Sequence, residues 1–297
     1  MTLEFRRDDP LAPGEVEWVA PGVRRILCGN PGPFTYRGTN TYLIGRGEVA
    51  VLDPGPVDEA HLGAILRAAA GERVTRILVS HTHRDHSPGV APLAAATGAE
   101  TLGFGPHLTP PGDGEGGDHD FSPNRQLADG DAVEGDGWRL TALHTPGHCA
   151  NHLCFALEAD ASLAPEGVLF SADHVMAWST SVVSPPDGDM ADYMRSLSRI
   201  AARADRLLLP GHGPAHDDPA SFIAGLIAHR EEREARVLEA LHGAGELVTA
   251  AALVPSVYGP ALDPRLAPAA ARSLLAHLVK LAGEGAALSE NGSFRAA

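Results

Sequence analysis

Six consecutive residues, His81-Thr82-His83-Arg84-Asp85-His86, constrain this chain more than any other stretch. Three imidazoles and a carboxylate stand directly after the apolar run Arg76-Ile77-Leu78-Val79-Ser80. A β-branched run that stops at polar residues reads as a buried strand that delivers a loop to one end of a sheet. Imidazole and carboxylate together suit Zn²⁺, with Fe or Mn as alternative occupants. The competing reading is a solvated loop that happens to be rich in histidine. His81, His83, Asp85 and His86 are therefore the first candidate metal ligands.

The apolar fraction of 44% is ordinary for a globular chain, so a full core is available. A net charge of -15 argues against a broad electrostatic footprint for duplex DNA or a membrane surface. The first residues, Met1 to Pro10, carry Arg6, Arg7, Asp8 and Asp9 and no apolar segment, so no secretory leader is expected. No run approaches the roughly 18 apolar residues of a membrane span. Cys28, Cys149 and Cys154 have no paired spacing, which fits reduced thiols and a cytoplasmic location. Cys149 follows His148 and reads either as a ligand or as a small buried neighbour.

Along the chain, residues 16–28 read as a strand pair broken at Pro21-Gly22, and two further strands flank Gly45-Arg46-Gly47. The second of these ends at Asp53. A helix spans His61 to Ala70, and another runs from Pro88 to Ala96 with Ser87 as its N-cap. Residues 105–125 are rich in Gly, Pro and Asp and read as a long surface loop, with Asp113, Glu115, Asp118 and Asp120 solvated and no Ca²⁺-loop pattern. His107 and His119 take the same reading. Strands are expected at 138–143, 151–157, 167–172 and 206–209, and a helix at 191–204. Two β-rich halves, each covered by helices, predict an α/β fold: a four-layer αββα sandwich over residues 1–220. Three helices and a hairpin around Asn291-Gly292 then predict a winged-helix-like domain over 221–297.

Three more fragments carry ligand chemistry at predicted strand ends. They are His144-Thr145-Pro146-Gly147-His148, Ser171-Ala172-Asp173-His174, and His212 within Pro210-Gly211-His212-Gly213-Pro214. Glycine and proline beside a ligand fix a sharp loop, so the side chain is already held before anything binds. With these fragments the chain resembles the metallo-β-lactamase fold superfamily over about residues 16–216. The pattern is HxHxDH, a histidine after Thr-Pro-Gly, an acid at a strand end, and a last histidine in a Pro-Gly-His-Gly turn. The resemblance implies that His81, His83 and His148 hold one divalent ion and that Asp85, His86 and His212 hold a second. It implies that Asp173 bridges the pair, with the ions about 3.5–4 Å apart. Water held by the two ions then loses a proton near neutral pH, and the hydroxide attacks the substrate. Asp85 is expected both to ligate and to orient that nucleophile, so it is also the candidate catalytic residue. Asp53 reads either as a partner of a ligand imidazole or as a turn cap. His144, His152 and His174 read as local structure around the site.

The segment from Asn30 to Phe34, the run Gly38-Thr39-Asn40-Thr41-Tyr42-Leu43-Ile44 and the C-terminal helices resemble the lactamase-β-like 2 subgroup. Its mitochondrial members are endoribonucleases specific for single strands, so the resemblance implies a single-stranded RNA substrate. Residues 221–297 carry seven basic and eight acidic residues, however, where a domain that grips phosphates is normally basic. The alternative is a thioesterase of the glyoxalase II type, or another hydrolase of small esters or lactones, acting through the same ligand set. The segment from Trp178 to Asp189 is expected to wall the substrate pocket after Asp173. A non-enzymatic regulator sensing metal or redox state through Cys149 is the third reading. A homodimer is expected from the frequency of such pairing.

Overall fold

A computed structural model describes residues 3–110, 116–159 and 167–297. Asp113 and Glu115 of the acidic loop lie outside them. Seven strands form the first sheet in sequence order: β1 (Val16–Ala20), β2 (Val23–Leu27), β3 (Asn40–Arg46), β4 (Glu48–Leu52), β5 (Arg73–Leu78), β6 (Glu100–Gly103) and β7 (Arg125–Gln126). The first four are antiparallel neighbours, whereas β4 through β7 run parallel. Helices α1 (Glu59–Ala68) and α2 (Val90–Thr97) make the crossovers from β4 to β5 and from β5 to β6.

The second sheet comprises β8 (Ala132–Gly135), β9 (Trp138–His144), β10 (Leu153–Ala159), β11 (Val168–Ala172) and β12 (Leu207–Pro210), in the order β12-β11-β10-β9-β8. Helix α3 (Met190–Ala201) connects β11 to its parallel neighbour β12. A period of two sorts the side chains. Tyr42, Ile44, Ala50, Leu52 and Leu78 meet Leu153, Phe155, Leu157 and Phe170 between the sheets. Leu43, Val49, Val51 and Ile77 turn outward onto α1 and α2. Cys154, Ala156 and Leu169 turn outward onto α3 and onto α4 (Pro219–Ala244). The result is the expected αββα order of layers.

Helix α4 carries Phe222, Ile223 and Leu226 into the core beneath α3, and Val237 and Leu241 into a separate C-terminal core. That second core is completed by β13 (Val248–Thr249), α5 (Ala250–Tyr258), α6 (Ala267–Gly283) and the hairpin of β14 (Ala287–Glu290) with β15 (Ser293–Ala296). Asn291 and Gly292 both adopt positive φ at its turn, as the Asn-Gly pair predicts.

One sequence expectation is corrected, and one strand was missed. Ser87 does not cap α2, whose N-cap is Gly89 and which has no side-chain cap. The Ser87 hydroxyl instead donates to Asp118 Oδ2 at 2.5 Å, because the loop before β7 folds back over the histidine-rich turn and offers a carboxylate. Strand β8 was not anticipated. Only its Val133 is buried, so it shows no apolar run, and its pairing with β9 defines it.

Candidate metal centre

Every ligand-bearing fragment arrives at one edge of the two sheets. His81 follows β5, Asp173 follows β11, His212 follows β12, and His148 lies in the turn between β9 and β10. The Pro-Gly-His-Gly turn is clamped from the opposite sheet. Asn40 Nδ2 donates to the carbonyls of Pro210 and Gly213, and the Tyr42 hydroxyl donates to Pro210 O. Gly211 must be glycine for want of space, since a methyl there would overlap Asp173 Oδ1 and come within 2.8 Å of His86 Cε1.

The seven candidate residues converge. His83 Nδ1 lies 3.0 Å from His81 Nε2 and 3.0 Å from His148 Nε2. His86 Nε2 lies 3.2 Å from His212 Nε2, and Asp85 Oδ2 lies 3.2 Å from His212 Nε2. The Asp173 carboxylate stands between these groups, with Oδ1 3.4 Å from His86 Nε2 and Oδ2 3.7 Å from His148 Nε2.

The rear nitrogen of each ring decides what those short separations mean. His81 Nδ1 faces Ser80 Oγ at 2.9 Å, and His86 Nδ1 faces Asp53 Oδ2 at 3.0 Å. His148 Nδ1 faces Val182 O at 2.7 Å, and His212 Nδ1 faces Gly38 O at 3.1 Å. His83 Nε2 faces Asp187 Oδ2 at 3.5 Å. Ser80 Oγ itself donates to Asp53 Oδ2, so it is free to accept from His81. Each rear nitrogen thus faces an acceptor, which turns the bare lone pairs of His81, His83 and His148 toward one another. Lone pairs 3.0 Å apart repel unless a cation lies between them. Asp173 Oδ1 is buried and has no hydrogen-bond partner among the described residues. The residues therefore fit divalent cations, with a nitrogen-and-oxygen donor set.

Electrostatics divides the cluster. Burial, followed by neighbouring imidazoles, holds His81 well below the usual histidine range and His148 at about 4. Burial also pulls on His212, but Asp173 and Asp85 outweigh it and raise the ring well above that range. Asp173 answers in kind: burial disfavours its charge, yet His212 and His86 hold it well below the carboxylate range. A cation entering beside His86 and His212 would displace protons from those rings.

Asp53 takes the first of the two roles the sequence allowed, as a partner of the His86 imidazole, and its side chain caps no turn among the described residues. It follows β4 at φ 52° and accepts from Ser80 N, Ser80 Oγ and the His86 ring. His144, His152 and His174 lie outside the converging nitrogens: His144 bonds to Ala150 O, and His152 bonds to Thr145 Oγ1. Cys149 is buried near His83 and Asp187, and burial pushes its thiol well up. Sequence reasoning missed Asp187 and His107. Neither carries a motif, and only loop packing brings them to His83.

A cavity of about 410 Å³ opens over the cluster. Its floor includes His83, Asp85, His148 and Asp173, and its walls include Phe34, Pro56, Met176 and Val182. Trp178, Ser179 and Thr180 of the segment expected to wall the pocket are not among its lining, whereas Val182, Ser184 and Asp187 are. Arg84 is the single guanidinium or ammonium among the described residues lining it.

Comparison with known proteins agrees with this geometry. The profile described as "Metallo-beta-lactamase superfamily" matches residues 35–212, and "Beta-lactamase associated winged helix domain" matches 249–295. The beta-lactamase-like protein 2 homolog of Drosophila melanogaster is 32% identical over 277 residues, 89% of this chain and 88% of the relative. An atrochrysone carboxyl ACP thioesterase of Aspergillus chevalieri is 31% identical over 284 residues, 91% of this chain and 84% of the relative. The crystal structure of a beta-lactamase domain protein from Burkholderia ambifaria superposes with a TM-score of 0.77 at 25% identity, covering 98% of this chain and 96% of that one.

Proposed function

The chain belongs to the metallo-beta-lactamase superfamily, and from that premise we propose that it hydrolyses an acyl thioester, or a related small ester, with an apolar acyl group. On this reading His81, His83 and His148 hold one divalent cation, Asp85, His86 and His212 hold a second, and Asp173 is shared. Zinc suits the donor set, with iron or manganese as alternatives. When bound, the two ions polarise the scissile carbonyl and bring the ionisation of water close to neutral pH.

The chain's own groups do the rest. Phe34, Pro56, Met176 and Val182 bind the acyl portion and exclude water from it. Asp85 is partly exposed and faces the cavity, where its oxygens orient the attacking water by accepting its proton in a hydrogen bond. Arg84, exposed at the mouth, meets an anionic group on the thiol portion. A thiol has a pKa of about 8.5 and departs as thiolate without an acid to protonate it.

The observation that carries the reading is the apolar wall with one cation. A single-stranded nucleic acid needs a track of cations and stacking platforms along its backbone. The thioesterase relative adds support. The test is a panel of acyl thioesters, lactones, a chromogenic β-lactam and single-stranded RNA, each with wild type and Asp173→Ala. Thioester turnover that Asp173→Ala abolishes is expected. Arg84→Ala should raise KM about tenfold, or about 1.4 kcal/mol, for a phosphorylated thiol ester and leave an uncharged thiol ester unchanged. RNA cleavage lost in Asp173→Ala, with thioesters untouched, would establish the endoribonuclease reading instead.

A further inference from the structure

His83, like His86 with Asp53, has a carboxylate behind its ring, here Asp187, brought in by a distant loop. Asp187 is nine-tenths buried, with its side chain 9% exposed. Its Oδ1 accepts from Thr109 Oγ1 at 2.9 Å and from Ala150 N at 3.3 Å. Its Oδ2 has no hydrogen-bond partner of normal geometry among the described residues. A buried carboxylate oxygen left bare is costly, and two ring nitrogens face it: His83 Nε2 at 3.5 Å and His107 Nε2 at 3.8 Å.

The neighbouring hydrogen bonds fix which nitrogens carry protons. Asn151 Nδ2 donates to Thr82 Oγ1 at 2.6 Å, so the Thr82 hydroxyl turns its own hydrogen elsewhere. Thr82 is buried, and its neighbour His107 Nδ1 at 2.9 Å is the acceptor that takes this hydrogen among the described residues. The His107 proton therefore sits on Nε2, aimed at Asp187. The same carboxylate favours the Nε2–H form of His83, leaving His83 Nδ1 bare toward His81 and His148. Gly117 completes the arrangement, since a Cβ there would come within 2.5 Å of the His107 ring.

We infer that Asp187 is a positioning residue: its Oδ2 draws the Nε2 protons of His83 and His107 and so aims His83 Nδ1 at the cation site of His81, His83 and His148. The inference rests on the reading of those three residues as cation ligands. Asparagine cannot take the place of this carboxylate. Turned one way its NH₂ meets two ring N–H groups, and turned the other way it meets the Ala150 N–H.

The experiment is equilibrium competition of Zn²⁺ between the full-length metal-free protein and a chromophoric chelator, for wild type, Asp187→Asn and Thr109→Val. Circular dichroism checks that each folds, and ¹⁵N shifts of the metal-free proteins report the His83 tautomer. Two ions per wild-type chain are expected. In Asp187→Asn one of them should weaken about 10–100-fold, the other should be unchanged, and His83 should become a mixture of tautomers. Thr109→Val, which only loosens the carboxylate, should weaken the same ion by less. Wild-type affinity for both ions in Asp187→Asn would overturn the inference while leaving the metal centre standing. A third ion in wild type, lost alone in Asp187→Asn, would also overturn it by making Asp187 a ligand itself. No zinc bound by wild type would remove the metal centre and the inference together.

Discussion

His61 shows how a buried histidine outside the metal cluster still bears on it. Its Nε2 donates to Thr41 Oγ1 at 2.7 Å, and the Thr41 hydroxyl passes its own hydrogen to Asp53 O. Burial lowers its pKa to about 4, with Asp58 opposing weakly. The folded protein keeps this ring neutral, whereas the unfolded chain protonates it near 6.5. Its contribution to stability is complete above pH 6.5 and is lost as pH falls toward 4. The loss between pH 7 and pH 5 should be about 2 kcal/mol. His61→Gln preserves a donor to Thr41 without a titrating group. Denaturant titrations at both pH values should show the variant losing about that much less stability than wild type. The sequence offered no reason to single this residue out, because its partners Thr41 and Asp53 belong to other elements.

At the scale of elements, the turns after the strands place the site. Gly147 and Gly211 both stand one residue before a cluster histidine, and the physical reasons differ. Gly147 adopts φ +137° and packs against the backbone of Tyr193 at the start of α3. Gly211 is needed for space beside Asp173 and His86. Gly211→Ala should destabilise the protein by about 1–3 kcal/mol through overpacking. More diagnostically, metal analysis should find about one ion fewer per chain, because the displaced ring is His86 of the His212 side and the displaced carboxylate is the shared Asp173. A variant with the wild-type melting temperature and metal content would show that the turn relaxes freely. The strand ends were readable from apolar runs halted at polar residues. Ser87 was misread because a carboxylate from a distant loop outweighed local pattern, and β8 was missed because its pairing partner defines it.

For the whole molecule, the question is what the C-terminal helices do for the cavity. Arg230 of α4 is buried, donates to Ser181 O, and lies 5.1 Å from the Tyr193 ring centre. Ser181 and Tyr193 both donate to His174 O. The loop thus pinned also carries Val182, whose carbonyl holds His148, and Asp187 behind His83. Arg230→Met keeps the stem and removes the charge-assisted bond, which should reduce stability by about 2 kcal/mol. If α4 steadies the cavity wall, KM should rise with it. Unchanged kinetics beside a lower melting temperature would assign the helix to stability alone.

The sequence by itself determined the donor chemistry: which side chains of nitrogen and oxygen type stand at the ends of buried strands, and in what order. That much is local, because apolar runs, Pro-Gly turns and His-rich loops are written in neighbouring residues. Only the tertiary structure decided which ring nitrogen faces inward. That choice depends on acceptors from Gly38, Asp53, Val182 and Asp187, which reach the cluster only once the two sheets and their loops have packed together.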